Sequence, residues 1–330
     1  MVYYSIMYNA NQLSQLFETY RKAQHLSLEP QKLYQPINYL MDNGGKRVRP
    51  VLLLLAVNMF QGDVNKAMPL AYALELFHNF TLMHDDIMDE AALRRGKPAV
   101  HKAFGLSSAI LSGDVMQLLV YDYFKNLDDK TYREIISTFN EKAIKVCEGQ
   151  QWDMDFETTE SVSIDAYINM IAHKTAALLA GSLKMGALFA GATPQQSELL
   201  HNFGLYMGIC FQLQDDILDT FGDPEKFGKT VGGDILNDKK TYLLIKAIEL
   251  AKGELAEKLN YYRKANDVSD AEKVEAITAV LNSLDVKAMA EAEMKSYYNK
   301  AQAALNQLDV SKDKKDILFN YAESIYSRKY

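Results

Sequence analysis

Apolar positions recur at helical spacing along most of the chain. Leu13, Phe17 and Tyr20 form one stripe, Ile135, Phe139 and Ile144 another, and Leu244, Ile248, Leu255 and Leu259 a third. That rhythm lays one face of a helix against a core. Breaks are short and local: Asn43-Gly44-Gly45, Gly62-Asp63, Arg95-Gly96-Lys97-Pro98, Ala192-Thr193-Pro194 and Phe221-Gly222-Asp223-Pro224, each a turn signal. No stretch alternates apolar and polar residues between hairpin turns, so no sheet is expected. No low-complexity linker or shift in composition marks a boundary. The pattern predicts an all-α fold with one domain over residues 1–330.

Composition changes this picture little. The chain has 330 residues, 48% hydrophobic and 24% charged, enough to bury a large core. With 7 Pro and 17 Gly, long uninterrupted helices are possible. The net charge of −7 lacks the basic excess of a nucleic-acid binder, so no nucleic-acid partner is expected. The most apolar run, Val51 to Phe60, is about half the length that a bilayer crossing needs. The N-terminal MVYYSIMYNANQ shows no basic segment followed by an apolar one. A soluble, cytoplasmic protein without a membrane span is expected. Cys147 and Cys210 are the only cysteines, too few for a disulfide framework or a thiolate zinc site. They are expected as reduced, buried thiols.

One pattern occurs twice. Asp85-Asp86-Ile87-Met88-Asp89 returns as Asp215-Asp216-Ile217-Leu218-Asp219, each after an apolar run, Ala71–Met83 and Leu205–Leu213. On a continuous helix each set of three carboxylates falls within an arc of about 100°. Like charges at i,i+4 repel, and a bound cation removes the repulsion. All-oxygen ligands suit a hard cation, and Mg²⁺ takes one or two carboxylates together with phosphate oxygens and water. A single such cluster reads equally well as a solvated acidic helix end. Two of them, each extending a buried apolar run, point to Mg²⁺ ions holding a phosphorylated ligand. Glu75, His78, Leu82 and Asp85 share one helix face, so His78 lies on the stripe that runs into the first aspartates.

Basic residues complement them. Gly44-Gly45-Lys46-Arg47-Val48-Arg49-Pro50 sets three cations just before the apolar helix at 51–60. A helix N-terminus adds N–H donors for an anion, and guanidinium groups fit phosphate oxygens in bidentate fashion. Arg94-Arg95 follows the first aspartate cluster by a little over one helical turn. Two basic sites imply two anionic ligands, one bound with metal and one without.

With these motifs the sequence resembles the trans-prenyl diphosphate synthases, the polyprenyl synthetase family, over most of its length. The resemblance runs through GGKRVRP at 44–50, ELFHNFTLMHDDIMDEAALRRG at 75–96, GDV at 113–115, EGQQWD at 148–153, HKTA at 173–176, FQLQDDILD at 211–219, FGDPEKFGKTVGGDI at 221–235 and KKT at 239–241. It implies an isoprenoid-synthase-type helical bundle around a deep central cavity, normally a homodimer. Isopentenyl diphosphate and an allylic diphosphate (dimethylallyl, geranyl or farnesyl) would be the ligands. Lys46, Arg49, His78 and Arg95 would hold the isopentenyl diphosphate. Asp85, Asp86, Asp89, Asp215 and Asp219 would bind Mg²⁺, three ions with diphosphate bound. Arg94, Lys174, Lys229 and Lys239 would assist on the diphosphates, with Asp216 and Asp234 as supporting carboxylates. Lys174, Thr175 and Gln212 match the family's groups that stabilise the allylic cation, and Gln150 and Asp153 match residues lining the same site. The Ser327-Arg328-Lys329 end resembles a basic tail that closes over diphosphate, and reads equally as a frayed, solvated terminus.

The product tail would run along the helix that carries Asp85. Phe80 and Thr81 lie about 6–8 Å deeper at helical rise. A bulky aromatic there acts as a floor, because packed interiors do not yield to extra methylenes. Phe80 without a second aromatic at position 81, and without an insertion in DDIMD, resembles the geranylgeranyl (C20) type more than the farnesyl (C15) type. A terpene cyclase would lack the second aspartate cluster and the isopentenyl site. A non-catalytic synthase subunit would have lost carboxylates or arginines.

Overall fold

The computed structural model describes residues 7–222, 232–265 and 267–326, and helices dominate it. Its residue contacts gather into two compact units. The first extends through residue 139 and takes in residues 182–198 and 309–318; the second takes residues 140–181, 199–308 and those from 319 on.

The first unit begins with α1 (Ala10–Lys22), α2 (Gln31–Asp42), α3 (Val48–Met59) and α4 (Val64–Met88). A two-residue ribbon follows, β1 (Leu93–Arg94) and β2 (Lys97–Pro98), then α5 (Val100–Phe104) and α6 (Leu106–Asp122). α7 (Asp129–Thr158), α9 (Ala177–Phe189), α10 (Pro194–Phe221) and α16 (Lys312–Tyr326) carry residues of both units. The divisions therefore fall inside helices, which is why no linker signal marks them in the sequence. The second unit adds α8 (Ile164–Ile171), a π-helical turn at Ala172–Ala176, α11 (Gly233–Leu236), α12 (Tyr242–Leu250), α13 (Glu254–Lys264), α14 (Asp270–Ser283) and α15 (Val286–Asn306).

Helix starts follow the capping chemistry of the sequence. Asn9 and Gln12 exchange a capping box at α1, and Asp63 accepts from the amides of Asn65 and Lys66 at α4. Ser163, Thr241 and Ser269 cap α8, α12 and α14 in the same way, each satisfying amides that the first turn leaves open. α3 is apolar on all sides, and every residue from Pro50 to Met59 is buried, as such a helix must be.

In the first unit α4 packs against α3 and α6, α2 against α6, and α1 against α3 and α4. Its aromatic core joins Phe77, Phe139, Phe124 and Tyr121. The Phe139 ring lies 5.1 Å from that of Phe77 and 5.3 Å from that of Phe124, both edge-on, a geometry that aromatic quadrupoles favour. In the second unit α13 packs on α14, and α12 on α8, α14 and α15, around Tyr167, Ile209, Leu213, Leu243 and Ile277.

The structure departs from the sequence expectations at the hairpin, at Arg94-Arg95 and at Cys147. The ribbon pairs Leu93 with Pro98 and Arg94 with Lys97, and its turn residues Arg95 and Gly96 have φ of 53° and 76°, the signature of a type I′ hairpin. Strands of two residues are too short to show alternation, so only the turn was visible. The chain at Arg94-Arg95 is consequently a returning hairpin and not a further helical turn. Of the two cysteines, both free, Cys210 is buried but Cys147 is exposed, because it sits on the outer face of α7. No helix among the described residues is long and apolar enough to cross a membrane.

Phe139 is 1% exposed at the centre of the aromatic group. Its replacement by Ala should cost about 3–5 kcal/mol, read as a lowered thermal midpoint by circular dichroism. An unchanged midpoint would mean that the aromatic group contributes nothing to the stability of this unit.

Candidate active site

In the first unit the loop before α3 is organised by a buried arginine. Arg47 has φ of 49° at the N-cap of α3. Its Nε donates to Glu18 at 2.9 Å, Nη1 to Glu75 at 2.7 Å, and Nη2 to the carbonyls of Met41 at 2.8 Å and Asn43 at 3.0 Å. Two residues on, Arg49 Nη1 donates to His78 Nε2 at 3.1 Å. That ring nitrogen must therefore be bare, with the hydrogen on Nδ1. Burial first, then the charges of Arg49, Arg95, Arg94 and Arg47, hold the His78 pKa well below its usual 6.5, so the ring is neutral. Burial likewise pushes Arg49 down to about 10, and Arg49 Nε is enclosed without a partner.

Arg95 arrives from the hairpin and donates to the Asn43 carbonyl at 3.3 Å. Its guanidinium lies over Gly45, where a Cβ would come within 2.9 Å of it, so the glycine makes the room. Among the described residues no carboxylate lies within ion-pair distance of Arg49 or Arg95. Arg49, partly buried, and the exposed Arg95 thus set two positive charges near a neutral imidazole. Lys46 is exposed on the same loop.

The three aspartates at the end of α4 are not equivalent. α4 ends at Met88 and Asp89 is its exposed C-cap. Asp85 is partly buried, whereas Asp86 is wholly buried and accepts from Arg94 Nε at 2.8 Å and from its Nη2. Arg94 also lies 3.8 Å from Asp85. Phe80 is buried against Phe77 and His84, with ring centroids 5.5 and 4.8 Å apart. The Thr81 hydroxyl donates back to the His78 carbonyl at 2.8 Å.

In the second unit the π turn carries Lys174 and Thr175, and single π turns in longer helices recur at functional sites. Gly149 of α7 admits it, since a Cβ there would meet the Lys174 amide nitrogen at 2.2 Å. Lys174 Nζ pairs with Asp153 one turn further along α7. Thr175 Oγ1 donates to Gln212 Oε1 at 3.1 Å, and Gln212 Nε2 to Asp216 Oδ1 at 3.2 Å. The Tyr167 hydroxyl donates to Asp216 Oδ2. Burial, then Asp234, raises Asp216 to about 7, while Tyr167, Lys239 and Gln212 oppose that rise. Burial and Asp216 push the Tyr167 phenol well above 10, so it keeps its proton. Asp219 Oδ2 accepts from the Asp234 amide at 2.9 Å. Asp215 and Asp219 are partly buried, and Gln150 lies half-buried on α7. Lys239 is exposed, near enough to act on Asp216. Lys229 and Arg328 lie outside the described residues.

Within each unit the motif residues are therefore brought together. Arg47 and Tyr167 were not foreseen. Arg47 was one cation among three, and Tyr167 had no motif to mark it, because both act through partners remote in sequence.

The donor set fits magnesium on two grounds. The carboxylates supply only oxygen, and Asp86 keeps one buried carboxylate oxygen without a partner. Among the described residues no three His, Cys, Asp or Glu side chains gather into a ready-made metal cage. Oxygen donors of this kind suit an ion that completes its shell with phosphate oxygens and water.

A helical chain that twice presents aspartates at the end of an apolar run, and whose first unit also holds guanidinium groups without carboxylate partners, has the make-up of an enzyme acting on prenyl diphosphates. It belongs to the polyprenyl synthetase family, whose pattern matches residues 30–281, and it is a prenyltransferase. The geranylgeranyl diphosphate synthase of Methanosarcina mazei is 38% identical over 309 residues, 91% of each chain. A crystal structure of a geranylgeranyl pyrophosphate synthase superimposes with a TM-score of 0.93 at 39% identity, covering 98% of this chain and 100% of that one. The geranylgeranyl pyrophosphate synthase of Corynebacterium glutamicum, solved with isoprenyl diphosphate and magnesium, gives 0.84 at 26% identity, covering 97% and 98%. The helical fold expected from the resemblance is thereby borne out.

The neutral His78 makes stability depend on pH. Below about 6.5 the unfolded chain takes up a proton that folded His78 refuses, so stability falls as pH falls, by up to about 1.4 kcal/mol per pH unit. Denaturation at pH 7, 6 and 5 should therefore show a steeper loss for the wild type than for His78→Gln. Equal slopes would mean that His78 titrates normally in the folded protein.

Proposed function

We propose that the protein is a Mg²⁺-dependent synthase that condenses isopentenyl diphosphate with allylic diphosphates, making geranylgeranyl diphosphate as a cytoplasmic homodimer. The observation that carries this reading is the pair of guanidiniums without carboxylate partners, Arg49 donating to a neutral His78 and Arg95 to the nearby Asn43 carbonyl. Such a site takes a diphosphate without metal, which is what the non-allylic substrate requires. Gly45 keeps Arg95 in place, and Lys46 extends the same basic loop.

Asp85, Asp86 and Asp89 on α4, and Asp215 and Asp219 on α10, are the groups that would hold Mg²⁺, three ions with diphosphate bound. The metal supplies charge neutralisation for the leaving diphosphate. Arg94, tied to Asp86 and Asp85, orients the first aspartates. Lys174, Lys239 and Lys229 add positive charge for the allylic diphosphate. Thr175, Gln212 and the Lys174 carbonyl offer oxygens to the allylic cation once the C–O bond ionises. The isopentenyl double bond then attacks that cation, and the proton lost in forming the new double bond passes to the departed diphosphate.

Phe80, buried with Phe77 beneath it, is the proposed floor with Thr81 beside it, and the geranylgeranyl names of the relatives support a C20 product. Incubation with Mg²⁺, isopentenyl diphosphate and dimethylallyl, geranyl or farnesyl diphosphate should yield mainly geranylgeraniol after dephosphorylation and chromatography. Phe80→Ala should move the main product to longer alcohols. Farnesol alone, or a Phe80→Ala pattern identical to wild type, would refute the chain-length assignment. No condensation by folded protein would refute the synthase.

α6 supports the homodimer. Leu106, Ile110, Leu111 and Leu118 are 54%, 41%, 56% and 68% exposed and fall on one face of the helix. Apolar exposure on that scale marks an interaction surface, and the unpaired Cys147 suits a reducing compartment. Leu118→Glu should convert dimer to monomer in size-exclusion light scattering at micromolar protein. A wild-type monomer, or an unaffected dimer, would refute α6 as the interface.

A further inference from the structure

We propose that Tyr167 is a positioning residue which, through Asp216 and Gln212, turns the Thr175 hydroxyl so that its lone pairs and not its proton are presented to the reacting allylic group. The inference deepens the synthase reading and rests on it.

A chain of hydrogen bonds links Tyr167 to Thr175, each with a defined donor and acceptor. Tyr167, 2% exposed on α8, donates to Asp216 Oδ2, and Asp216 is itself 4% exposed on α10. One turn earlier on α10, Gln212 reaches the other carboxylate oxygen at 3.2 Å. Both oxygens of Asp216 accept, Oδ2 from the phenol and Oδ1 from Gln212 Nε2, so the NH₂ end of Gln212 faces Asp216. The amide is then committed, and its oxygen points to Thr175, 3.1 Å away. That oxygen only accepts, so the Thr175 hydroxyl hydrogen is held by Gln212. A hydroxyl whose hydrogen is taken offers its lone pairs elsewhere, as a developing cation requires. With its hydrogen free it would present the positive end of the O–H dipole instead.

Tyr167 is the outer anchor of this chain. Without its hydroxyl, Asp216 Oδ2 loses a donor inside the unit, and the carboxylate can turn to draw on another group. Gln212 is then free to flip its amide, and Thr175 free to reverse its hydroxyl. Among the described residues no other donor reaches Asp216 Oδ2, since Gln212 engages only Oδ1. The π turn sharpens the requirement. Both neighbours of Thr175 in that turn are closely packed, Lys174 against Gly149 and Ala176 against Gly208, where a Cβ would lie 2.5 Å from that of Ala176.

The test is a double-mutant cycle on the full-length protein, with isopentenyl diphosphate, dimethylallyl diphosphate and Mg²⁺. Turnover by the wild type comes first; its absence would count against the synthase reading and is thereby separated from the inference. Tyr167→Phe should lower kcat about 10- to 100-fold, the scale of losses for groups that orient a ligand indirectly, with KM for both substrates changed less than about twofold. Thr175→Val should also lower kcat. The double variant should lose no more than Thr175→Val alone, because both changes abolish one oriented hydroxyl. Thr175→Ser, which keeps the hydroxyl, should restore the sensitivity to Tyr167→Phe. Losses that multiply in the double variant, or an unchanged kcat in folded Tyr167→Phe, would overturn the proposal. If Tyr167→Phe does not fold, Gln212→Met paired with Thr175→Val carries the same expectation and the same refutation.

Discussion

A guanidinium buried at 3% side-chain exposure is the constraint on which the first unit depends. An arginine cannot lose its charge, and burying it unpaired costs several kcal/mol. Arg47 escapes that cost only where Glu18 of α1, the last carbonyls of α2, and Glu75 of α4 meet around it. One side chain thereby selects one arrangement of three helices and the loop between them. Breaking such a pair from either side leaves a buried charge unmatched, so the arrangement is strongly specified. Arg49 and Gly45 inherit their places from it, being two residues to either side.

The ion pairs of this unit also sort its cations by role. Arg47 and Arg94 are neutralised by Glu18, Glu75 and Asp86, whereas Arg49 and Arg95 face a histidine and a carbonyl. The former two are satisfied within the protein, and the latter two have no carboxylate partner among the described residues. Asp86, buried against Arg94 through one oxygen and left without a partner at the other, differs likewise from the exposed Asp89 three residues on. In the second unit close backbone approach plays the organising part. Gly149 lets α7 reach the π turn, so that Lys174 meets Asp153 and Thr175 meets Gln212.

Much of this was legible before any coordinates. The stripe from Glu75 through His78 to Asp85 reads directly as one helix face, because helical period converts spacing into direction. The repeated aspartate motifs, the basic GGKRVRP segment and the arginines of the hairpin are local patterns, and locality is what one sequence displays. Phe80 could be placed relative to Asp85 from helical rise alone. The orientation of Asp86, the exposure of Cys147 and the hairpin at Arg95-Gly96 were not legible in this way. Each depends on what a residue meets from another part of the chain, or on strands too short to leave a periodic trace.

The sequence by itself determined the helical class, the kinds of chemical groups at the site, and the spacing at which each helix presents them. Those follow from covalent order and from the fixed geometry of the α-helix. Tertiary structure alone decided which of the like residues are structural and which stay free. Arg47 and Arg49 stand two positions apart with the same side chain, yet one is consumed by Glu18 and Glu75 and the other is left beside His78. Tyr167 and Asp216 stand far apart in the chain and meet inside one unit. The reason is physical: the charge and proton state of a buried group is set by its neighbours in space.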